Sequence, residues 1–545
     1  MQKESLINNQ IFHLVTLTIV AGFLRLFRLD QMPPGITNDE LVYVYNAYSI
    51  FKTGKNIFGE FLPIITYVAG YPFLPVNILV GAPFVGLLGL SLWSSRLPFA
   101  ILGVLDIILL YFLTFTLLRS RSIAFLASFL LAISPWHIQV TRTAFDAPVA
   151  LFFYLLGITL FLILIKAKRS FIWAIFPFWL AMFSYRATNV IFIPIIVLLF
   201  WYACPNIKTS PRNFFLFLIG VGLILTSVFL VSRARNDQSY TKEIYLLNLD
   251  SLTESVTREI RYSEAPLIIR RIFSNKPLYA LRIFRENYLG AFSPEFLFTS
   301  GEASGIYSLW FRGMFYIIEL PLLILGLIFL FKKYKKELAF IGGSILIAPL
   351  PSALVVEKSY VMRSIYMLPF LTMVIATGII YFLSFLKRID NQPIRKILLG
   401  VFFTWYFFLF LSYFYQYHFR YPVYGGESWF KSSRILAEKL MDYGKTKNKI
   451  IVANASPFEF LQYAFYSRLD PNIASKLYKS ELPITIGLIT FQNLCLNRGK
   501  GDPHKILAPN TIYITRETCH QEILADEFIT DPQKERIIWK IYINE

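Results

Sequence analysis

The sequence predicts an α-helical polytopic membrane protein of about eleven spans, with a small α/β domain at its C-terminal end. Three observations predict it. Apolar residues make up 56% of the 545 residues and charged residues only 16%, a composition that excludes a soluble globule. The apolar residues gather in runs near the ~20 residues that a helix needs to cross ~30 Å of hydrocarbon. Beyond residue 420 the runs shorten, and strand-like and helix-like patterns alternate.

The spans are expected near 11–28, 97–118, 123–140, 148–165, 171–184, 190–204, 213–231, 308–331, 338–353, 365–386 and 396–416. The first, with Lys3 before it and Arg25-Leu26-Phe27-Arg28 after it, shows no small-x-small cleavage site and is expected to be an uncleaved signal anchor. Basic residues gather in the loops Arg119/Arg121, Lys166/Lys168/Arg169, Lys208/Arg212, Lys332 to Lys336, and Lys387 to Lys396. With these spans all of them fall on one side, which the positive-inside rule makes cytoplasmic. The net charge of +19 is therefore a topology signal and does not point to nucleic acid.

The opposite side receives residues 29–96, the turns 141–147 and 185–189, the loops 232–307 and 354–364, and everything after 417. Residues 72–92 are apolar enough to span. Pro72, Pro75 and Pro83 with Gly81, Gly86 and Gly89 favour an interfacial or re-entrant pair of helices instead. Two domains are expected: a transmembrane domain over 1–419 and an extracytoplasmic α/β domain over 420–545. In the latter, 449–453, 484–489 and 511–515 are expected strands and 458–466 a helix, with no G-x-G-x-x-G or P-loop. Cys495 and Cys519 pair if they face an oxidising compartment; otherwise they are free thiols.

Polar residues on the outer side are few, and charges at a membrane edge are costly enough to be functional candidates. Thr37-Asn38-Asp39-Glu40 comes first. Thr37 and Glu40 fit a capping box, so the stretch also has a plain role as a helix start. Ser134-Pro135-Trp136-His137 follows, then Arg142 and Asp146, whose i,i+4 spacing would share a helix face. Tyr185-Arg186 and the stretch from Glu357 to Arg363 complete the set. Taken singly, these are helix starts, lipid anchors or parts of an aromatic belt, as are Tyr45, Tyr67 and Tyr71 in the first outer loop. Taken together, they join carboxylates with arginines on one side. A carboxylate can accept a proton from an attacking hydroxyl, and arginines can hold a leaving phosphate. That combination suits sugar transfer from a polyprenyl phosphate.

The ordered set resembles bacterial GT-C glycosyltransferases of the protein O-mannosyltransferase and aminoarabinose-transferase group (glycosyltransferase family 39-like). The residues that carry the resemblance are Arg25-Leu26-Phe27-Arg28-Leu29-Asp30, Pro33-Pro34-Gly35 with Asp39-Glu40, Ser95-Arg96-Leu97-Pro98-Phe99, Ser134-Pro135-Trp136-His137 with Arg142 and Asp146, and Ser359 to Arg363 with Pro369. They cover roughly residues 20–370. The resemblance implies a membrane enzyme that inverts the anomeric centre of a lipid-phosphate-linked sugar. It implies Asp39 as base, Glu40 as its neighbour and Asp146 as a second acid. Arg142, Arg186 and above all Arg363 would bind the donor phosphate. Tyr45, Tyr67, Tyr71 and His137 are the candidate acceptor or sugar contacts. Some members bind a divalent metal at such carboxylates, here Asp39 and Asp146, and others need none. Gly70 to Pro75 stands where many relatives carry His-Pro-Pro or Lys-Pro-Pro, and lacks the basic residue.

The expected partners are a polyprenyl-phosphate-linked sugar, a protein, glycan or lipid acceptor, and the bilayer, with the chain multi-pass in the plasma membrane. Two other readings compete. A transporter or flippase for a lipid-linked sugar would show inverted repeats and charges at mid-membrane depth. A structural membrane protein would use the C-terminal domain alone to bind a partner.

Overall fold

The computed structural model describes residues 2–68, 71–207, 211–234, 249–445, 449–478 and 481–544. It is mainly helical and ends in a small sheet. Among the described residues six helices are long and apolar enough to cross a membrane: Leu92–Leu118, Asp146–Lys166, Ala187–Cys204, Pro211–Val231, Ile365–Leu386 and Gln392–Tyr424. The pair Arg121–Ile133 and Pro135–Thr141, bent by 59°, makes a seventh if it is one span. The bend has a local cause. Pro135 lacks an N–H for the helix ladder and disfavours helical backbone at Ser134. The other four expected spans are helical but shorter: Gln10–Leu26, Phe171–Met182, Glu319–Lys333 and Lys335–Ile347.

Three expectations need correction. Residues 308–318 are irregular, not the start of a span. Gly313 there lies against the Phe298 backbone, where a Cβ would come within 2.3 Å, so the chain is folded back on itself. The apolar stretch 72–92, expected as a pair of helices, forms a short hairpin strand and the single helix Pro75–Leu88, which at 14 residues, or roughly 21 Å, is too short to cross alone, as expected. Arg142 and Asp146 do not share a helix face, because 142–145 is a non-helical turn and the next helix starts at Asp146. Asp146 Oδ1 accepts from the Ala147 N–H at 2.9 Å, and Pro148 suits a first helical turn.

Packing groups the chain into two units. The first holds 1–25, 101–141 and 146–413. Its helices approach closely through small residues. A Cβ on Gly326 would meet the Val374 carbonyl at 1.9 Å, and one on Gly378 would meet that of Leu322 at 1.9 Å. Two helices pressed backbone to backbone in this way gain dispersion contacts that lipid cannot offer.

The second unit holds 26–100, 142–145 and 414–545. Here the first loop packs on the C-terminal chain. Gly35 seats the Trp429 carbonyl, Gln462 donates to the Ile36 carbonyl at 3.0 Å, and the Tyr45 hydroxyl donates to the Leu469 carbonyl at 2.9 Å. Helix Asn38–Thr53 lies on helix Pro75–Leu88, where Gly86 makes room for the Phe51 ring. The sheet runs in the order 484–486, 489–491, 449–453, 511–516, 537–544, 527–530. Its central strand, Lys449–Ala453, is parallel to both neighbours and the remaining pairs are antiparallel. The expected strand 484–489 is in fact the start of a hairpin that turns at Gly487, whose φ of 55° suits glycine. Cys495 and Cys519 are disulfide-bonded.

Candidate active site

Helix Asn38–Thr53 is started by the capping box that the sequence contains. Thr37 Oγ1 accepts from the Glu40 N–H and Glu40 Oε2 from the Thr37 N–H, both at 3.3 Å. Glu40 then does more than cap. It is fully buried and ion-paired with Arg96 at 3.1 Å, and its Oε1 accepts from the Ala144 N–H at 2.8 Å. Arg96 is equally committed: it also donates to the carbonyls of Pro33 and Gly35. Both Glu40 oxygens are therefore occupied, and Glu40 fastens the 142–145 turn to the helix start. Asp39, one residue earlier, keeps solvent access. Protein packed around it thins its hydration, and Glu40 adds a like charge, so its carboxyl is raised above the usual range.

Arg142 is buried in the same unit. Its Nη2 donates to the carbonyls of Phe27 at 2.8 Å, Arg28 at 3.2 Å and Met32 at 3.1 Å, and its guanidinium lies 5.5 Å from the Tyr417 ring centroid. It ties the turn after the first helix to the 142–145 segment.

The first unit assembles the other candidates. The loop that carries Arg363 is pinned twice. Glu302 Oε2 accepts from the Tyr360 and Val361 N–H groups at 2.8 Å each, and Trp136 Nε1 donates to the Val361 carbonyl at 2.9 Å. Burial raises the Glu302 carboxyl, while these two amides and the Arg363 charge oppose the rise. Tyr185 senses both remaining charges. Burial pushes its phenol well up, Arg363 opposes that, and Asp146 adds to it. Thr188, in the helix that follows, shares a hydrogen bond with Tyr366, and the Tyr366 ring stacks edge-on against Tyr154. Asp146, Tyr185 and Arg363 thus form one electrostatic neighbourhood, and Arg186 stands half-buried beside Tyr185.

A family model described as dolichyl-phosphate-mannose-protein mannosyltransferase matches residues 75–231. Among solved structures, ArnT from Cupriavidus metallidurans in the apo state aligns over 98% of this chain and 98% of its own, at 12% identity and a TM-score of 0.51. The fold of this chain is thus similar to that of ArnT, and the family-model match lies within the same helical region. The same ArnT bound to undecaprenyl phosphate aligns over 98% of each chain at 11% identity, with a TM-score of 0.50. The oligosaccharyltransferase AglB from Archaeoglobus fulgidus, in complex with an inhibitory peptide and a dolichol-phosphate, aligns at 13% identity and a TM-score of 0.42. That alignment covers 84% of this chain and 63% of AglB, so the chain spans under two thirds of AglB's length. No curated protein sequence matches.

The remaining candidates each have their own surroundings. Tyr45 is buried, with its hydroxyl given to Leu469. Tyr67 is half-buried on the strand Thr66–Val68. The side chain of Tyr71 lies outside the described residues. His137 is fully buried in the first unit. Arg25 donates to its Nδ1 at 2.6 Å, which leaves Nε2 to donate to Asp106 at 3.2 Å. Arg25 also donates to the Ala132 carbonyl at 3.1 Å and to the Leu131 carbonyl at 3.4 Å, the latter shared with the Ser134 N–H at the helix end.

A divalent cation needs several oxygen or nitrogen ligands. Among the described residues no three His, Cys, Asp or Glu side chains come together to hold one, and Glu40, beside Asp39, has both oxygens engaged.

Sequence reasoning did not single out Arg96, Glu302, Asp106 or Arg25 as site-building residues. Arg96 and Asp106 had one available signal, a lone charge within a long apolar stretch. Glu302 had none, since its partners are backbone amides 58 and 59 residues away.

Proposed function

We propose that this chain moves a sugar from a polyprenyl-phosphate donor to a hydroxyl of a protein, glycan or lipid on the outer side of the plasma membrane, with inversion. The observation that carries the reading is the contrast at the helix start: Glu40 is fully engaged, while Asp39 beside it remains accessible with a raised carboxyl. Such a group suits a general base, because its affinity for a proton lies nearer the working pH. In the reaction the acceptor oxygen attacks the anomeric carbon as the bond to the phosphate oxygen breaks. The hydroxyl proton goes to Asp39, and polyprenyl phosphate leaves with the bonding electron pair. Arg363, held by the Glu302-pinned loop, is assigned to the departing phosphate, with Arg186 in support. Asp146 is assigned as the second acid. Glu40 and Arg142 act by positioning. The transferred unit is a hexose or pentose.

We keep residues 1–419 as the catalytic membrane domain and 420–545 as an extracytoplasmic domain. The Cys495–Cys519 disulfide supports that orientation, since such bonds persist in oxidising compartments. The test is transfer of label from a polyprenyl-phosphate sugar to a cell-envelope acceptor fraction by the detergent-purified protein. Arg363→Gln should raise the KM for the donor roughly tenfold to a hundredfold, as loss of a charge-assisted contact of about 1.5–3 kcal/mol requires. An unchanged donor KM refutes the role of Arg363, and absence of any transfer with several donor sugars refutes the reading.

A further inference from the structure

Helices Leu267–Phe273 and Lys276–Gly290 of the first unit carry an apolar surface that the site does not use. No residue of the first of these helices is buried. Ile268 is 75% exposed and Phe273 74%, and Leu267 and Ile272 are exposed beside them. In water such a patch would be a liability. Between residues 265 and 290 the chain also carries Arg270, Arg271, Lys276, Arg282 and Arg285 against a single acid, Glu286. Two of these cations are spent: Arg270 donates to the Ala265 carbonyl, and Arg282 pairs with Glu259. The side chains of Arg271, Lys276 and Arg285 make no hydrogen bond or ion pair among the described residues.

The second helix is tied to the helix Lys335–Ile347 and to the loop beyond it. The Tyr288 hydroxyl donates to the Leu346 carbonyl at 2.8 Å, near the end of the helix Lys335–Ile347, where the Leu346 side chain is itself 57% exposed. Asn287 donates to the Val355 carbonyl at 2.7 Å, just beyond. The segment is thus held beside the C-terminal end of that helix, where Leu346 and Val356 are exposed as well. There an apolar face can enter acyl chains while cations meet phosphates.

We propose that residues 265–289 form a membrane-surface anchor that inserts Leu267, Ile268, Ile272 and Phe273 into the bilayer and binds anionic lipid phosphates through Arg271, Lys276 and Arg285. A cleft of about 560 Å³ beside Phe273, Leu278, Phe284 and Arg285 suits an acyl chain with its headgroup at the arginine.

The test uses the full chain with its exposed free cysteine removed (Cys204→Ser) and an environment-sensitive dye on Ile268→Cys. The protein is placed in nanodiscs of phosphatidylcholine, with or without phosphatidylglycerol, and a shallow doxyl lipid serves as quencher. The expected result is a blue-shifted emission that the doxyl lipid quenches, more strongly with phosphatidylglycerol. The Arg271→Gln, Lys276→Gln, Arg285→Gln triple variant should lose the phosphatidylglycerol effect while melting like the parent. A dye that stays accessible to aqueous iodide in every disc overturns the proposal. So does a dry dye that doxyl lipid does not quench, which would mean a second copy or another protein covers the face. Quenching that is indifferent to phosphatidylglycerol overturns the assignment of the three cations.

Discussion

Glu40 and Glu302 are two buried carboxylates that hold two loops in two different ways. Glu40, in the second unit, faces a guanidinium and two amides; Glu302, in the first, is held through two amides of the Arg363 loop. The first is a buried ion pair, whose worth lies in neither partner being left alone. The second is a carboxylate held by two backbone amides, with the positive charge of Arg363 opposing the rise that burial causes. The difference teaches that one residue type can hold a loop along two routes, and that each route fails differently.

The largest expected effect follows from breaking the ion pair. Arg96→Met leaves Glu40 buried without its cation and should destabilise the protein by about 3–5 kcal/mol. Adding Glu40→Gln should recover part of that loss, read as the melting temperature in detergent. A double variant no better than the single would mean that packing, not charge, holds the turn. Glu302→Gln keeps an acceptor oxygen but removes the charge. It should cost about 1–3 kcal/mol, with slower transfer because the Arg363 loop loosens.

The smallest effect tests the same device at the surface. His504 bridges Asp502 at 3.1 Å and Asp526 at 3.0 Å, and these partners raise its pKa. A folded pKa above the unfolded value of about 6.5 gives stability that is full below that value and fades as pH rises through the folded pKa. His504→Gln should therefore hasten amide exchange at Ile543, which donates to Asp526, at pH 5.5 but not at pH 9. Because the bridge is partly exposed, its worth is roughly half a kcal/mol or less.

The sequence disclosed those parts of the molecule that depend on local runs. Span-length apolar segments, the Thr37–Glu40 cap and the central strands 449–453 and 511–516 all carry their signal within a few turns. The Glu40–Arg96 pair does not, because its members are 56 residues apart and each has a sufficient local explanation. Strands 527–530 and 537–544 escaped notice because Glu527 and the charged turn around Lys534 to Arg536 mask their apolar alternation. Arg142 shows the limit of spacing arguments. Its i,i+4 relation to Asp146 suggests a shared face, but the carbonyls of Phe27, Arg28 and Met32 claim the guanidinium and the turn stays unwound. The candidate roles of Asp39 and Arg363 were legible only as an ordered set, since each alone is a helix start or a lipid anchor.

The central claim is that Asp39 is the accessible, proton-accepting member of a pair whose other member is structural. The direct measurement is the transfer rate against pH for the parent and for Asp39→Asn. If Asp39 is the base, the parent rate rises with pH as the carboxyl ionises, with its acid limb above the ordinary Asp value of about 3.9. The variant should lose about 10²–10⁴-fold in kcat, together with that limb, while melting like the parent. A variant that keeps the parent's rate and acid limb would contradict the account.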